Sequence, residues 1–257
     1  MLAQQRQAAI VDRVRVAGGV RVSDLAGEFG VSDMTIRRDL DLLAERGLLA
    51  KVHGGATSAD SGSTDEPGFV AKSARQLSEK AAIAAQAAHL VQPGMAVALS
   101  AGTTTAALAH RLVDTAGLTV VTNSIPVAEI FHRAGRPDQT VVLTGGVRTP
   151  SDALVGPVAV GAIRTLHLDL VFLGVHGMSV RAGYTTPNLM EAETNRALVA
   201  SAERLVVLAD HTKWGTVGIS SMAPLSAAHT VITDDGLPSP ARQTLQEHVT
   251  QLLITPT

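Results

Sequence analysis

The residues of this chain best suited to a defined chemistry are Ser32, Thr35, Arg37 and Arg38, which open the run S-DMTIRRDLDLLAERG. An Arg guanidinium can bridge O6 and N7 of guanine, a Thr can meet a thymine methyl or a phosphate, and a Ser hydroxyl can donate to the DNA backbone. These roles need a helix whose first two turns reach the major groove with one polar face outward. In this run Ile36, Leu40 and Leu43 recur at i, i+4 and i+7, which turns them inward. Met34 and Arg38 then fall on the opposite side, with Thr35 and Arg37 flanking. An arginine pair can equally be a solvated helix face paired with Asp33 or Asp41, so the surrounding elements have to choose.

Those elements favour DNA. Residues 3–17 form a helix with Ile10, Val11, Val14 and Ala17 on one face, ended by Gly18-Gly19. Val20-Arg21-Val22 is briefly extended. Ser23 is the expected N-cap of a short helix that Gly30 stops, and Ser32 is the expected cap of the next helix, which Gly47 ends. Two short helices joined by a Gly-containing turn make a helix-turn-helix centred on 32–46. The following LLAKVHGGAT suits a two-stranded wing. It carries Lys51 and His53 as candidate phosphate contacts, His53 being as well suited to a simple turn.

A second set of polar residues sits where apolar strands end. Val- and Leu-rich runs at 95–100, 118–122, 140–146 and 169–175 alternate with helical segments, followed by LVVLAD, TVITD, a last helix and a closing apolar run. Such strands without in–out alternation indicate a buried, mainly parallel sheet, hence an α/β fold. Ligands of these sheets bind beyond the strand C-termini. The candidates there are Gly102, Thr103 and Thr104, then Asn123, Gly145 and Gly146, and Gly174, His176 and Gly177. Gly102-Thr103-Thr104 opens a helix, where free N–H groups, the dipole and two hydroxyls suit a phosphate. Ordinary N-capping by either Thr is the alternative. Lys213 follows a later strand end and can add a cation; Trp214 beside it reads as packing.

Residues 57–68, TSADSGSTDEPG, separate the two patterns and cannot bury enough surface to offset their ordering entropy. The expected organisation is a winged helix-turn-helix over 1–57, a linker over 58–72 and a larger α/β domain over 73–257. Composition narrows the function. Residues 1–58 hold eight Arg and Lys against seven Asp and Glu, so no polycationic block draws nucleic acid non-specifically. Aromatic content of 2% leaves little for single-stranded bases to stack on. The nine histidines are dispersed without HExxH or H-x-H spacing, and there is no cysteine, so neither a metal nor a cofactor is expected. No apolar run reaches the roughly 18 residues of a membrane span, and the N-terminus lacks a signal-peptide core, which points to the cytoplasm.

Taken together, SDLAxxFGVSxxTIRRDLxxLxxxGLL and the following VHGGA resemble the N-terminal signature of DeoR-type bacterial regulators. AGTT, VVTNS, LTGG, VGP, DLVFLGVHGMS, TTPNLMEAE and LADHTKWG extend the resemblance to that family's C-terminal domain, whose fold is similar to sugar-phosphate isomerases. The resemblance implies a repressor of carbohydrate-metabolism genes that binds double-stranded operator DNA as a homo-oligomer, a dimer or tetramer. It also implies release by a phosphorylated sugar or related metabolite. Two positions depart from the family pattern: Ser100 where Asp is usual, and Asn195 where Lys is usual. If the family geometry holds, both face the crevice and alter which ligand fits. The competing reading is an isomerase-like enzyme with an appended DNA-binding domain. It would draw on Asp169, Glu191 and Glu193, but Ser100 and Asn195 weaken any such constellation, and no catalytic residue is expected.

Overall fold

The computed structural model describes residues 3–17, 19–45, 48–52, 54–58, 66 and 68–257. Contacts divide the chain into two units, Met1–Gly62 and Ser63–Thr257.

In the smaller unit, α1 (Ala3–Ala17) is followed by β1 (Gly19–Arg21), α2 (Val22–Phe29), α3 (Asp33–Glu45), β2 (Leu49–Val52) and β3 (Gly55–Ser58). The 3.6-residue period of the apolar positions accounts for its core, in which Ile10, Val14, Leu25, Ile36, Leu40 and Leu43 are buried together. Two details differ from the sequence reading. First, the extended Val20 segment joins the wing, giving a three-stranded sheet in the order β1-β3-β2. Second, α2 begins before Ser23. Its first N–H, on Val22, donates to Gly54 O at 2.9 Å, while the Ser23 hydroxyl donates to Asp24. A carbonyl from the wing thus does what a capping side chain would do.

The larger unit begins earlier than expected. Residues expected to be linker up to 72 include Glu66 and α4 (Phe69–Ser73), both packed on this unit; Phe69 N donates to Pro150 O at 3.2 Å. Next come α5 (Leu77–Ala88), β4 (Ala96–Leu99), α6 (Thr103–Leu112), β5 (Thr119–Thr122), α7 (Ile125–Ala134), β6 (Thr140–Leu143), β7 (Val147–Arg148) and β8 (Leu154–Val155). They are followed by α8 (Pro157–Ile163), β9 (Leu168–Gly174), β10 (Gly177–Ser179), β11 (Gly183–Thr186), α9 (Leu189–Ala200) and β12 (Ala202–Leu208). The chain closes with β13 (Ser220–Ala223), β14 (Thr230–Asp234), α10 (Ser239–His248) and β15 (Gln251–Thr255).

Seven strands form one parallel sheet in the order β15-β14-β12-β9-β4-β5-β6. Alternate residues feed two cores. Val97, Leu99, Phe172 and Leu208 meet Ile83, Leu108 and Phe131 on one face, while Ala98, Val171, Leu173 and Val207 meet Leu198 and Leu245 on the other. The α/β class and the parallel sheet are as the sequence indicates. A small antiparallel sheet, β10-β11-β13, and the β7–β8 hairpin are additions to it. Every residue of β11 is buried, so the strand has no alternation to betray it.

From β4 the chain runs outward through β5 to β6, then returns to lay β9 on the other side of β4. Parallel sheets with such a reversal bind ligands in the crevice beyond the strand C-termini at that point, which here is the ends of β4 and β9.

Candidate functional site

In the smaller unit the exposed face of α3 is held from behind. Asp39, 4% exposed, accepts from Arg6 Nε at 2.6 Å and from Gln7 Nε2 at 2.9 Å, which ties α3 to α1. This buried carboxylate was not anticipated, because a polar residue on the inner face breaks the apolar period that located that face. Opposite it, Arg37 and Arg38 are exposed and form no ion pair or hydrogen bond among the described residues. Met34, 73% exposed, accompanies them. At the head of the helix, Ser32 Oγ accepts from Thr35 N at 3.3 Å and lies 3.0 Å from Thr35 Oγ1. The first two turns of the helix thereby carry two hydroxyls and two exposed guanidiniums that no described residue engages. Lys51 lies on β2 with its side chain outside the described residues, as is all of His53.

In the larger unit the crevice floor is built from strand ends. Ser100, fully buried, accepts from Gly174 N at 3.0 Å through Oγ, which stitches the end of β4 to that of β9. Ala101 N donates to Asn123 Oδ1 at 2.9 Å, and Asn123 Nδ2 donates to Leu154 O at 3.2 Å. Both polar atoms of the Asn123 side chain are therefore used in joining the ends of β4 and β5 to β8. Gly102 precedes α6, which no side chain caps; Thr103 is half-buried and Thr104 buried. The first turn of α6 thus opens on the crevice with its backbone N–H groups unclaimed by a capping side chain.

Gly177 is not at the crevice surface. It lies buried in β10, where an added Cβ would stand 2.0 Å from Thr216 O, so its glycine serves a close backbone approach. Gly146 is similarly explained: φ of 122° and a Cβ position 2.5 Å from Val155 O reflect the β7–β8 hairpin. Gly145 beside it is half-exposed, and His176 is half-buried with its N–H on Thr185 O.

The charged wall of the crevice was largely missed. Lys213 Nζ is 3.8 Å from Asp210 Oδ2, and that buried oxygen accepts no hydrogen bond among the described residues. Lys80, 6% exposed, donates to Lys72 O and Arg75 O at 2.6 and 2.5 Å, and burial lowers its pKa to about 8 against the pull of Asp210. Burial also lowers Lys72, offset by Glu191 and Glu66, while Lys213 is near enough to depress both lysines. Glu191 accepts from Thr186 Oγ1 at 2.6 Å, and its burial raises its pKa. Only Lys213 had a strand-end position to mark it; Lys72 and Lys80 arrive from the segment before the sheet.

Other expectations are revised. Asn195 is buried against Met222, one turn along α9 from Glu191, and its Oδ1 has no hydrogen-bond partner among the described residues. Asp169 accepts from Ala96 N at 2.8 Å at the opposite end of the sheet, which excludes it from the crevice. A separate cleft of about 460 Å³, lined by Arg164, His167, Glu193 and Arg196, also lies at that opposite end, since His167 precedes β9. Among the described residues no cluster of three or more His, Asp or Glu is placed to hold a metal, and no helix is long and apolar enough to cross a membrane.

Comparison with known proteins matches residues 6–62 to a DeoR-like helix-turn-helix domain and residues 75–235 to a DeoR C terminal sensor domain. The chain is 36% identical over 255 residues to the HTH-type transcriptional regulator YgbI of Escherichia coli, covering 99% of this chain and 98% of that one. It is 32% identical over 249 residues to the glycerol-3-phosphate regulon repressor of E. coli, covering 96% and 97%. A putative aga operon transcriptional repressor of E. coli O157:H7 is 31% identical over 252 residues, covering 97% and 93%. Among solved structures, ribose 5-phosphate isomerase A of Methanocaldococcus jannaschii overlaps 52% of this chain and 53% of its own at a TM-score of 0.39 and 17% identity.

Proposed function

The chain belongs to the DeoR family of transcriptional regulators, and from that premise we propose that it is a repressor, released from operator DNA when an anionic, hydroxyl-bearing metabolite occupies the crevice of its larger unit. The observation that carries the DNA half is the outer face of α3, where Arg37 and Arg38 stand exposed and, among the described residues, unpaired, with the buried Asp39 as the helix's anchor. Guanidiniums that no described residue engages have their donors available for base edges and phosphates. One reading head per chain calls for an oligomer, whose heads would meet adjacent major-groove turns about 34–36 Å apart.

The effector half rests on Gly102, Thr103 and Thr104 at the open start of α6, together with Lys213 and the unfilled Asp210 Oδ2. A phosphoryl group suits the helix start and the lysine, and a sugar hydroxyl suits the carboxylate. A phosphorylated sugar or polyol has both parts, and the name of the glycerol-3-phosphate regulon repressor is compatible with that class. The first test is operator binding by gel shift with Arg38→Ala. Specific affinity falls by about 1–3 kcal/mol if Arg38 reads a base; unchanged affinity would remove it from the interface. Thermal stability against a panel of phosphorylated sugars tests the effector, since a bound ligand raises the melting point.

The buried carboxyl of Glu191 near Lys72 also has the makings of a proton-transfer pair. Turnover of ribose 5-phosphate by the purified protein would replace the sensor reading of the crevice with an enzymatic one.

A further inference from the structure

The segment that follows the boundary between the two units is fastened across the crevice by charged side chains. Glu66 Oε1 accepts from Ser151 Oγ at 2.8 Å, and its Oε2 accepts from Asn188 Nδ2 at 2.9 Å. Asn188 in turn caps α9, accepting from Met190 N and Glu191 N. Lys72 Nζ donates to the same Ser151 hydroxyl at 2.7 Å, while Lys80 holds the carbonyls of Lys72 and Arg75. These ties join Glu66 and residues 68–76 to the β7–β8 loop and to the start of α9, positions 85 and 122 residues away from Glu66 in sequence.

The fastening is incomplete at Lys72. An ammonium has three donors, and among the described residues this one makes a single hydrogen bond, to a neutral hydroxyl. Glu191 and Glu66 lie near enough to offset part of the cost of burying its charge, but neither accepts a hydrogen bond from it among the described residues, so two of its donors are left over. It shares elements with the proposed effector position: α4 contacts α6, whose first turn is that position, Lys213 is near enough to depress Lys72, and Ser151, which Lys72 holds, lies in the β7–β8 loop that pairs with the end of β5 through Ser124 and Ala153. Nearby, Asp210 Oδ2 is a second buried polar atom without a hydrogen bond.

We propose that the anionic group of the effector is the partner Lys72 lacks, so that occupancy of the crevice clamps residues 66–76 onto the larger unit. This rests on the effector reading above and specifies its regulation. The covalent path from the crevice to the DNA-binding unit runs through this segment, and its position becomes the variable that the ligand sets. The ligand class it demands is a phosphorylated polyol: a phosphoryl oxygen for Lys72 and Lys213, and a hydroxyl for Asp210.

Amide hydrogen exchange of the full chain tests this, with glycerol 3-phosphate and inorganic phosphate as probes and glycerol as control. Saturating glycerol 3-phosphate is expected to slow exchange across 66–76 about tenfold or more, the worth of a charge-assisted hydrogen bond. Lys72→Met is expected to abolish that slowing and weaken binding by a similar factor. Ser151→Ala, which keeps the ammonium, is expected to exchange faster without ligand yet still be slowed by it. If the probes raise the melting point but leave 66–76 unchanged, or slow it equally in Lys72→Met, the clamp is wrong and the effector reading stands. If no phosphorylated probe alters melting or exchange, both are overturned.

Discussion

Replacing Asp39 by Ala is expected to unfold the DNA-binding unit while leaving the larger unit intact. The carboxylate is 4% exposed and is the ion-pair partner of Arg6, itself 9% exposed, at 2.6 Å. Deleting it strands a buried guanidinium, and breaking a buried pair from one side costs about 3–5 kcal/mol. A unit of about 60 residues has roughly 3–9 kcal/mol of net stability at 0.05–0.15 kcal/mol per residue. The loss is therefore comparable with the whole.

The single Trp and single Tyr of the chain, Trp214 and Tyr184, both lie in the larger unit. In urea titrations Trp214 fluorescence reports that unit alone, whereas far-UV circular dichroism reports both. Asp39→Ala should shift an early dichroism transition to low urea, or remove it, with the fluorescence transition unmoved. The double variant Arg6→Met/Asp39→Leu should recover most of the loss, because no buried charge is left unpaired. A dichroism transition for Asp39→Ala within about 0.5 kcal/mol of wild type would refute the reasoning.

Three further outcomes follow from the larger unit. Gly177→Ala forces a Cβ into Thr216 O, a backbone atom that cannot swing away, and should lower stability by at least about 1–3 kcal/mol by calorimetry; a neutral effect would mean the β10 approach is wrong. Lys80 titrates near 8 when folded against its ordinary 10.5, so the unfolded state binds more protons between those values and stability rises with pH there. The difference in unfolding free energy between wild type and Lys80→Met should therefore climb from pH 7 to 9.5, by at most about 1.4 kcal/mol per pH unit, and a flat or falling difference would contradict the assignment. Tyr184, raised by burial, opposes this at higher pH, but it is common to both proteins and cancels in the difference. Thr104→Ala should blunt the thermal shift produced by phosphorylated sugars while operator affinity stays at the wild-type value; a full thermal shift would take Thr104 out of the site.

Much was legible in the sequence because it was local. The period of Ile36, Leu40 and Leu43 located the inner face of α3 and so placed Arg37 and Arg38 outside; both are indeed exposed. Continuous Val and Leu runs marked the parallel strands, since burial on both faces removes alternation. Motifs at fixed spacing identified the family. Tertiary structure alone decided what depends on closure of the chain over long distances. Arg6 meets Asp39 across 33 residues, Ser100 meets Gly174 across 74, and Glu66 meets Asn188 across 122. Periodicity carries no information about such pairs, because it encodes which face a residue takes and not what packs against it. For the same reason Gly177 and Asn123 looked like crevice residues at strand ends, when one makes room for a backbone and the other joins three strands. Lys72 and Lys80 looked like part of a linker and a helix, yet folding ties Lys72 to Ser151 and buries Lys80 within the influence of Asp210 and Lys213.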